Sequence, residues 1–79
     1  MAGEEMRRRK VKDSSLLFSV GWENAVLEVR YTDAMQKVFR YYGVPVSVFE
    51  KILTEDSPGG YFLSVRDNYN HRQIENGGR

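Results

Sequence analysis

Few side chains in this sequence are equipped to make or break a bond. His71 is the one histidine and cysteine is absent, so disulfides, thiolate metal sites and thiol nucleophiles are excluded. A metal ion or a general base would need partners for His71 that the sequence does not supply, and it reads as an exposed polar residue. Asp56-Ser57 sets an acid beside a hydroxyl, but a nucleophile needs a base held between the two. Helix capping explains both residues more simply. Gly59-Gly60 would offer backbone N–H groups to an anion if a helix starts there, with Arg66 near enough in sequence to help. The pair lacks a P-loop lysine and the dinucleotide fingerprint. The expectation is a protein without catalytic residues, cofactor or metal.

Side chains suited to binding are better represented. Arg7, Arg8, Arg9 and Lys10 form a basic run, and Arg30, Arg40 and Tyr42 fall on neighbouring segments further along. Net charge is +1, but residues 1–12 hold five basic and two acidic side chains while residues 13–69 hold five and eight. A mildly acidic body with a basic arm concentrates phosphate attraction in one segment, and a solvated solubility tail gives the same pattern. No apolar run follows the basic residues that would act as a signal or span a bilayer. A cytoplasmic protein with no membrane partner is expected.

The elements that must position these residues follow from the apolar pattern. Met1 to Lys12 has few apolar residues and no period, which predicts a disordered arm. Leu16, Phe18, Val20 and Trp22 alternate with Leu17, Ser19 and Gly21, which predicts a half-buried strand. Glu23-Asn24 turns the chain. A second strand runs from Ala25 to Tyr31 with Leu27, Val29 and Tyr31 on one face, and a third from Met35 to Tyr42 with Phe39 and Tyr41 on the same side. Short connections favour an antiparallel meander.

Gly43, Val44 and Pro45 end the third strand. Pro45 then suits the first turn of a helix reaching Leu53, with Val46, Phe49, Leu53, Val48 and Ile52 as its apolar face. Asp56 or Ser57 would cap a second helix beginning at Pro58 and carrying Tyr61, Phe62, Val65 and Tyr69. A strand over Tyr61 to Val65 would alternate too, but Arg66, Asp67 and Asn68 favour the helix. Residues 75–79 should be loose.

The expected fold is therefore α+β: a three-stranded antiparallel β-meander followed by two short helices packed on one face. Phe18, Val20, Trp22, Leu27, Val29, Tyr31, Phe39 and Tyr41 would meet Phe49, Ile52, Leu53, Phe62 and Val65. Leu17, Ser19, Val26, Glu28, Arg30, Val38, Arg40 and Tyr42 would form an uncovered face. Such a face, with Arg30 and Arg40 flanking Tyr42, resembles the sheet platforms that hold single-stranded RNA, while Glu28 opposite an arginine also suits a structural charge ladder.

The order of residues resembles the KTSC domain, named after the C-terminus of certain lysyl-tRNA synthetases and found as small stand-alone bacterial proteins. The features that carry the resemblance are Ser14-Ser15, Gly21-Trp22, the alternation of Leu27, Val29 and Tyr31, a central aromatic-x-aromatic, Val44-Pro45, and Ser57 to Gly60 leading to Tyr61-Phe62, Val65-Arg66 and Tyr69. The family's central Tyr-x-Tyr stands here as Phe39-Arg40-Tyr41. The resemblance implies RNA binding, by association with tRNA synthetases. It divides the chain into the arm 1–12, a domain 13–74 and a tail 75–79.

These readings lead to a small non-enzymatic module that binds RNA or another nucleic acid through Arg7, Arg8, Arg9, Lys10, Arg30, Arg40, Tyr42 and Arg66. The alternative is a protein-interaction or self-associating module that uses an edge strand or the mixed face around Leu17, Val26 and Val38.

Overall fold

The computed structural model describes residues 7–12 and 14–74. The elements are β1 (Arg7–Lys10), β2 (Leu17–Glu23), β3 (Val26–Tyr31), β4 (Ala34–Tyr42), α1 (Val46–Thr54), α2 (Pro58–Val65), a 3-10 turn (Arg66–Asn68) and β5 (His71–Ile74). The fold is α+β with two helices and an antiparallel sheet, as the pattern predicted. The sheet has five strands in the order β1-β2-β3-β4-β5, not three.

Both extra strands come from stretches whose sequence carries no apolar alternation. Residues 7–10 pair antiparallel with β2 rather than forming a loose arm. Val11 follows them into the core at 7% exposure and donates its N–H to the Phe18 carbonyl. That single apolar anchor, with the backbone ladder, holds a run whose side chains are all charged, and a short charged strand is a common way to finish a sheet edge. At the other edge β5 pairs with β4, Tyr41 opposite His71 and Val38 opposite Ile74. Residues 1–6, Asp13 and the predicted tail 75–79 lie outside the described residues.

A register shift between Leu17 and Ser19 changes which residues of β2 are buried. Simple alternation sends Phe18 inward and Leu17 outward, but Leu17 is fully buried and Phe18 only half-buried. A bulge adds one residue to one strand and reverses the facing beyond it. Val38, expected on the open face, is also buried, between Arg30 and Ile74 in the ladder. The mixed face expected around Leu17, Val26 and Val38 therefore loses two of these three apolar residues to burial.

The core is Val11 after β1, Leu17, Val20, Leu27, Val29, Tyr31 and Tyr41 from the sheet, Val44 from the connection, and Val48, Ile52 and Phe62 from the helices. Phe62 meets the Tyr41 ring edge-on at 5.2 Å. In α1 the buried stripe is Val48 and Ile52, with Phe49 and Leu53 beside it, whereas Val46 is exposed. Ser57 occupies the N-cap position of α2 but makes no side-chain cap bond. Its carbonyl accepts the Tyr61 N–H instead.

Two tight turns decide how the layers meet. Asn24 and Ala25 both take positive φ, at 51° and 66°, in the two-residue loop between Glu23 and Val26, which pair with each other. This is the turn whose twist matches a hairpin. Gly43, at φ 74°, ends β4. Val44 then donates its N–H to the Ala25 carbonyl, and its own carbonyl accepts the Trp22 indole N–H at 2.8 Å. An alanine in the left-handed region is strained by roughly 1–2 kcal/mol, whereas a glycine there is not but loses more freedom on folding. Ala25→Gly should therefore stabilise the fold by about 0.5 kcal/mol. Gly43→Ala, with open space around its new Cβ, should cost about 1 kcal/mol through the backbone alone. Urea unfolding measures both, and shifts of the midpoint in the same direction would contradict this account.

Candidate nucleic-acid interface

The open face of the sheet is built in rows, because residues opposite one another in an antiparallel ladder share a face. One row runs Arg8, Gly21, Glu28, Arg40, Arg72 across all five strands. Its centre is Glu28, 6% exposed and the one buried charged residue among the described residues. Arg8 Nε donates to Glu28 Oε1 at 2.6 Å, and Arg40 Nε to Oε2 at 3.1 Å. Arg8 is two strands away, roughly 10 Å between backbones. Gly21 between them has no side chain, which leaves Arg8 a lane to Glu28.

The next row is Lys10, Ser19, Arg30, Val38, Ile74. Lys10 Nζ sits over the Phe18 ring, 5.4 Å from its centre, so the β2 bulge turns Phe18 toward this face. On the other side of the Glu28 row are Glu23, Val26 and Tyr42, with Tyr42 at 39% exposure. The open face thus carries Arg8, Lys10, Arg30, Arg40 and Arg72 against Glu23 and Glu28. The helical layer, residues 46–68, carries Glu50, Glu55, Asp56 and Asp67 against Lys51 and Arg66. Among the described residues, the open face is thus net positive and the helical layer 46–68 net negative.

Of the residues expected to form a site, Arg8, Lys10, Arg30, Arg40 and Tyr42 come together here. Arg30 does not flank Tyr42, because the Glu28 row lies between them. Arg7 belongs to β1 opposite Trp22, and Arg9 is opposite Val20, on the helical side of the sheet, where it is exposed at the edge. Arg66 is not on the open face at all. It starts the 3-10 turn, and its Nη1 approaches the Tyr31 hydroxyl at 3.5 Å. Arg72 and Phe18 were not anticipated. The signal for Arg72 would have been recognition of β5, and for Phe18 the bulge, which no local pattern announces.

Arg66 belongs to a second feature, a cleft of about 240 Å³ on the helical side lined by Tyr31, Phe39, Tyr41, Arg66, Asp67 and His71. Tyr31 and Tyr41 share a hydrogen bond between hydroxyls at 2.8 Å. Burial, then that bond, pushes the Tyr41 hydroxyl well above its ordinary pKa. His71 is exposed, yet its ring stacks on Tyr41 with centres 5.1 Å apart.

Gly59 and Gly60 line a separate depression with Ser14, Asp56 and Ser57. A Cβ on Gly59 would come within 3.2 Å of the Leu16 Cβ and 3.3 Å of the Ser14 Oγ, so Gly59 serves close packing of α2 on the start of β2. Arg66, at the far end of α2, does not reach it. Among the described residues no group of three or more His, Asp or Glu side chains is placed to hold a metal ion, and no helix is long and apolar enough to cross a membrane.

Glu28 makes the row sensitive to acid. Burial alone would raise its pKa, but the hydrogen bonds and charges of Arg8 and Arg40 outweigh burial and hold the carboxyl below its usual value. A group depressed on folding contributes stability above its unfolded pKa, near 4.3. It loses that contribution as pH falls through the folded value. Stability should therefore decline below about pH 4.5. Glu28→Gln should cost about 1–2 kcal/mol at neutral pH, reduced from the fully buried case because both arginines are partly exposed, and should flatten the acid limb. Urea midpoints from pH 3 to pH 7 for both proteins provide the check.

The sequence profile of the KTSC domain matches residues 13–76. No curated protein matches the chain. Among solved structures, the crystal structure of a KTSC domain protein from Yersinia pestis is similar to it with a TM-score of 0.78 at 27% identity, covering 89% of this chain and 99% of that one. The shared fold and a profile match over most of its length place this chain in the KTSC domain family.

Proposed function

We propose that the protein is a small, non-enzymatic, cytoplasmic binding module that holds single-stranded RNA across the open face of its sheet. The observation that carries this reading is the row Arg8, Glu28, Arg40, Arg72 with Tyr42 and Phe18 beside it. Single-stranded nucleic acid is held by cations that follow the backbone and rings on which bases stack. Glu28 anchors Arg8 and Arg40 at fixed positions, and Arg40, held at its Nε, can turn its terminal nitrogens toward a phosphate. The basic segment contributes as part of this surface, since β1 brings Arg8 and Lys10 onto the same face. The acidic helical layer would turn away from a polyanion and orient the protein on it. Of the rival reading, a protein-interaction or self-associating module, the route through the mixed face around Leu17, Val26 and Val38 is weakened by the burial of Leu17 and Val38, and the route through an edge strand is not affected by it.

Anisotropy of a labelled single-stranded RNA, measured at several salt concentrations, tests the proposal. With about three phosphates neutralised, the logarithm of the association constant should fall with that of salt with a slope of about −2. Arg72→Gln should make the slope shallower by about 0.7. Tyr42→Ala should weaken binding by about 1 kcal/mol and leave the slope unchanged. Absence of binding at low salt would remove the RNA reading.

A further inference from the structure

Two hydroxyls that share one hydrogen bond leave one proton over. Tyr31 and Tyr41, 9% and 3% exposed, lie with their oxygens 2.8 Å apart. One donates to the other, and the proton of the accepting hydroxyl finds no acceptor among the described residues. Arg66 stands beside them in a similar condition. Its Nη1 lies 3.5 Å from the Tyr31 hydroxyl and its Nε 3.9 Å from Asp67 Oδ1. Most of its five N–H donors therefore have no protein acceptor within hydrogen-bond distance among the described residues. The cleft's polar part is thus rich in donors, a composition that suits an oxyanion. Asp67 is the one acid on its lining, and its carboxylate is 96% exposed, where water screens its repulsion.

The remainder of the lining is aromatic. Phe39 meets Tyr31 edge-on at 5.3 Å, and the His71 ring lies 5.1 Å from Tyr41 and 6.2 Å from Phe39. A bare inorganic anion would leave these rings facing water. The volume, about 240 Å³, falls below that of pockets for drug-sized ligands, roughly 300–1,000 Å³, and suits one ring with one acidic group.

We propose that this cleft, between the 3-10 turn and the helical side of β4 and β5, binds a small oxyanion carried on a flat ring. Arg66 and the Tyr31–Tyr41 hydroxyl pair hold the charge, and Phe39 and His71 hold the ring. The site lies on the opposite side of the sheet from the RNA surface and does not rest on that reading.

Titration of the full chain with benzoate, phenyl phosphate, benzamide and inorganic phosphate, followed at the Phe39 ring resonances by NMR, tests it. Benzoate or phenyl phosphate should produce saturable shifts, and whichever binds more tightly identifies the acid as carboxylate or phosphate. Benzamide, which lacks the charge, and inorganic phosphate, which lacks the ring, should each bind about tenfold or more weakly, the value of one charge-assisted hydrogen bond or one stacked ring. Arg66→Gln should weaken the aryl oxyanion by about tenfold. His71→Ala, at an exposed position where folding is readily confirmed by circular dichroism, should weaken it by a similar factor. The proposal is overturned if neither aryl oxyanion gives a saturable shift, if benzamide or inorganic phosphate matches them, or if folded His71→Ala binds as the parent does.

Discussion

Val44 is where the chain passes from the sheet to the helical layer, and both of its backbone polar groups are bound to the first hairpin. Its N–H goes to the Ala25 carbonyl and its carbonyl to the Trp22 indole. A fully buried residue cannot leave these groups unpaired without a cost of about 1–3 kcal/mol each, so the exit from β4 is fixed relative to β2 and β3. Everything that follows is aimed by this joint. Helix α1 leaves it to place Val48 and Ile52 on the core, and α2 brings Phe62 against Tyr41. The 3-10 turn then delivers the chain back to the outer side of β4 as β5. Gly43 supplies the left-handed step that lets Val44 reach the hairpin, and Pro45 starts the helix without requiring a donor.

Placing both helices on one side leaves the other face of the sheet open, and the charges are arranged accordingly. A carboxylate as buried as Glu28 is tolerated only when its oxygens are paired. Arg8 and Arg40 approach from opposite sides and bind one oxygen each. The result is a structural ion-pair network whose exposed part is cationic. A charge ladder is therefore compatible with the proposed phosphate-binding row. The same carboxylate that makes the arginines structural also holds them in register across the strands. It limits their number of free conformations, so less ordering would be needed if they engaged a polyanion, as proposed.

Much of this was legible in the sequence. The alternation of Leu27, Val29 and Tyr31 gave the central strand its facing, and Gly43 to Pro45 gave the switch from strand to helix. The edges were not legible, because the pairing of Arg7–Lys10 and His71–Ile74 comes from backbone groups supplied by distant strands. Their side chains are mostly polar and carry no period. The β2 bulge was hidden for a related reason. Leu16, Leu17 and Phe18 are all apolar, so either phase of alternation satisfies the pattern locally, and only the match to β3 decides which of them is buried. Errors in the candidate site follow from these two misses. Without β1 and β5 the arm stands apart from the face and Arg72 has no place in it. Without the 3-10 turn, Arg66 has no defined side of the sheet.

The aromatic-x-aromatic segment at the centre of the chain shows how one strand can serve two surfaces. Strand alternation sends Arg40 to the open face, where it meets Glu28, and sends Phe39 and Tyr41 to the helical side, where they line the cleft. Tyr41 needs a hydrogen-bond partner because its oxygen is buried, and in this chain the partner is the Tyr31 hydroxyl on the neighbouring strand, rather than a tyrosine two residues earlier. With Tyr31 bonded to Tyr41, a ring without a hydroxyl at position 39 leaves no buried polar atom unpaired, and Phe39 packs edge-on against Tyr31 instead. The departure from a double tyrosine is thus compatible with an intact polar pair. Because neighbouring side chains of β4 point to opposite sides, a change at Arg40 acts first on the charged row and a change at Phe39 first on the cleft. The two surfaces can therefore be altered separately within three consecutive residues.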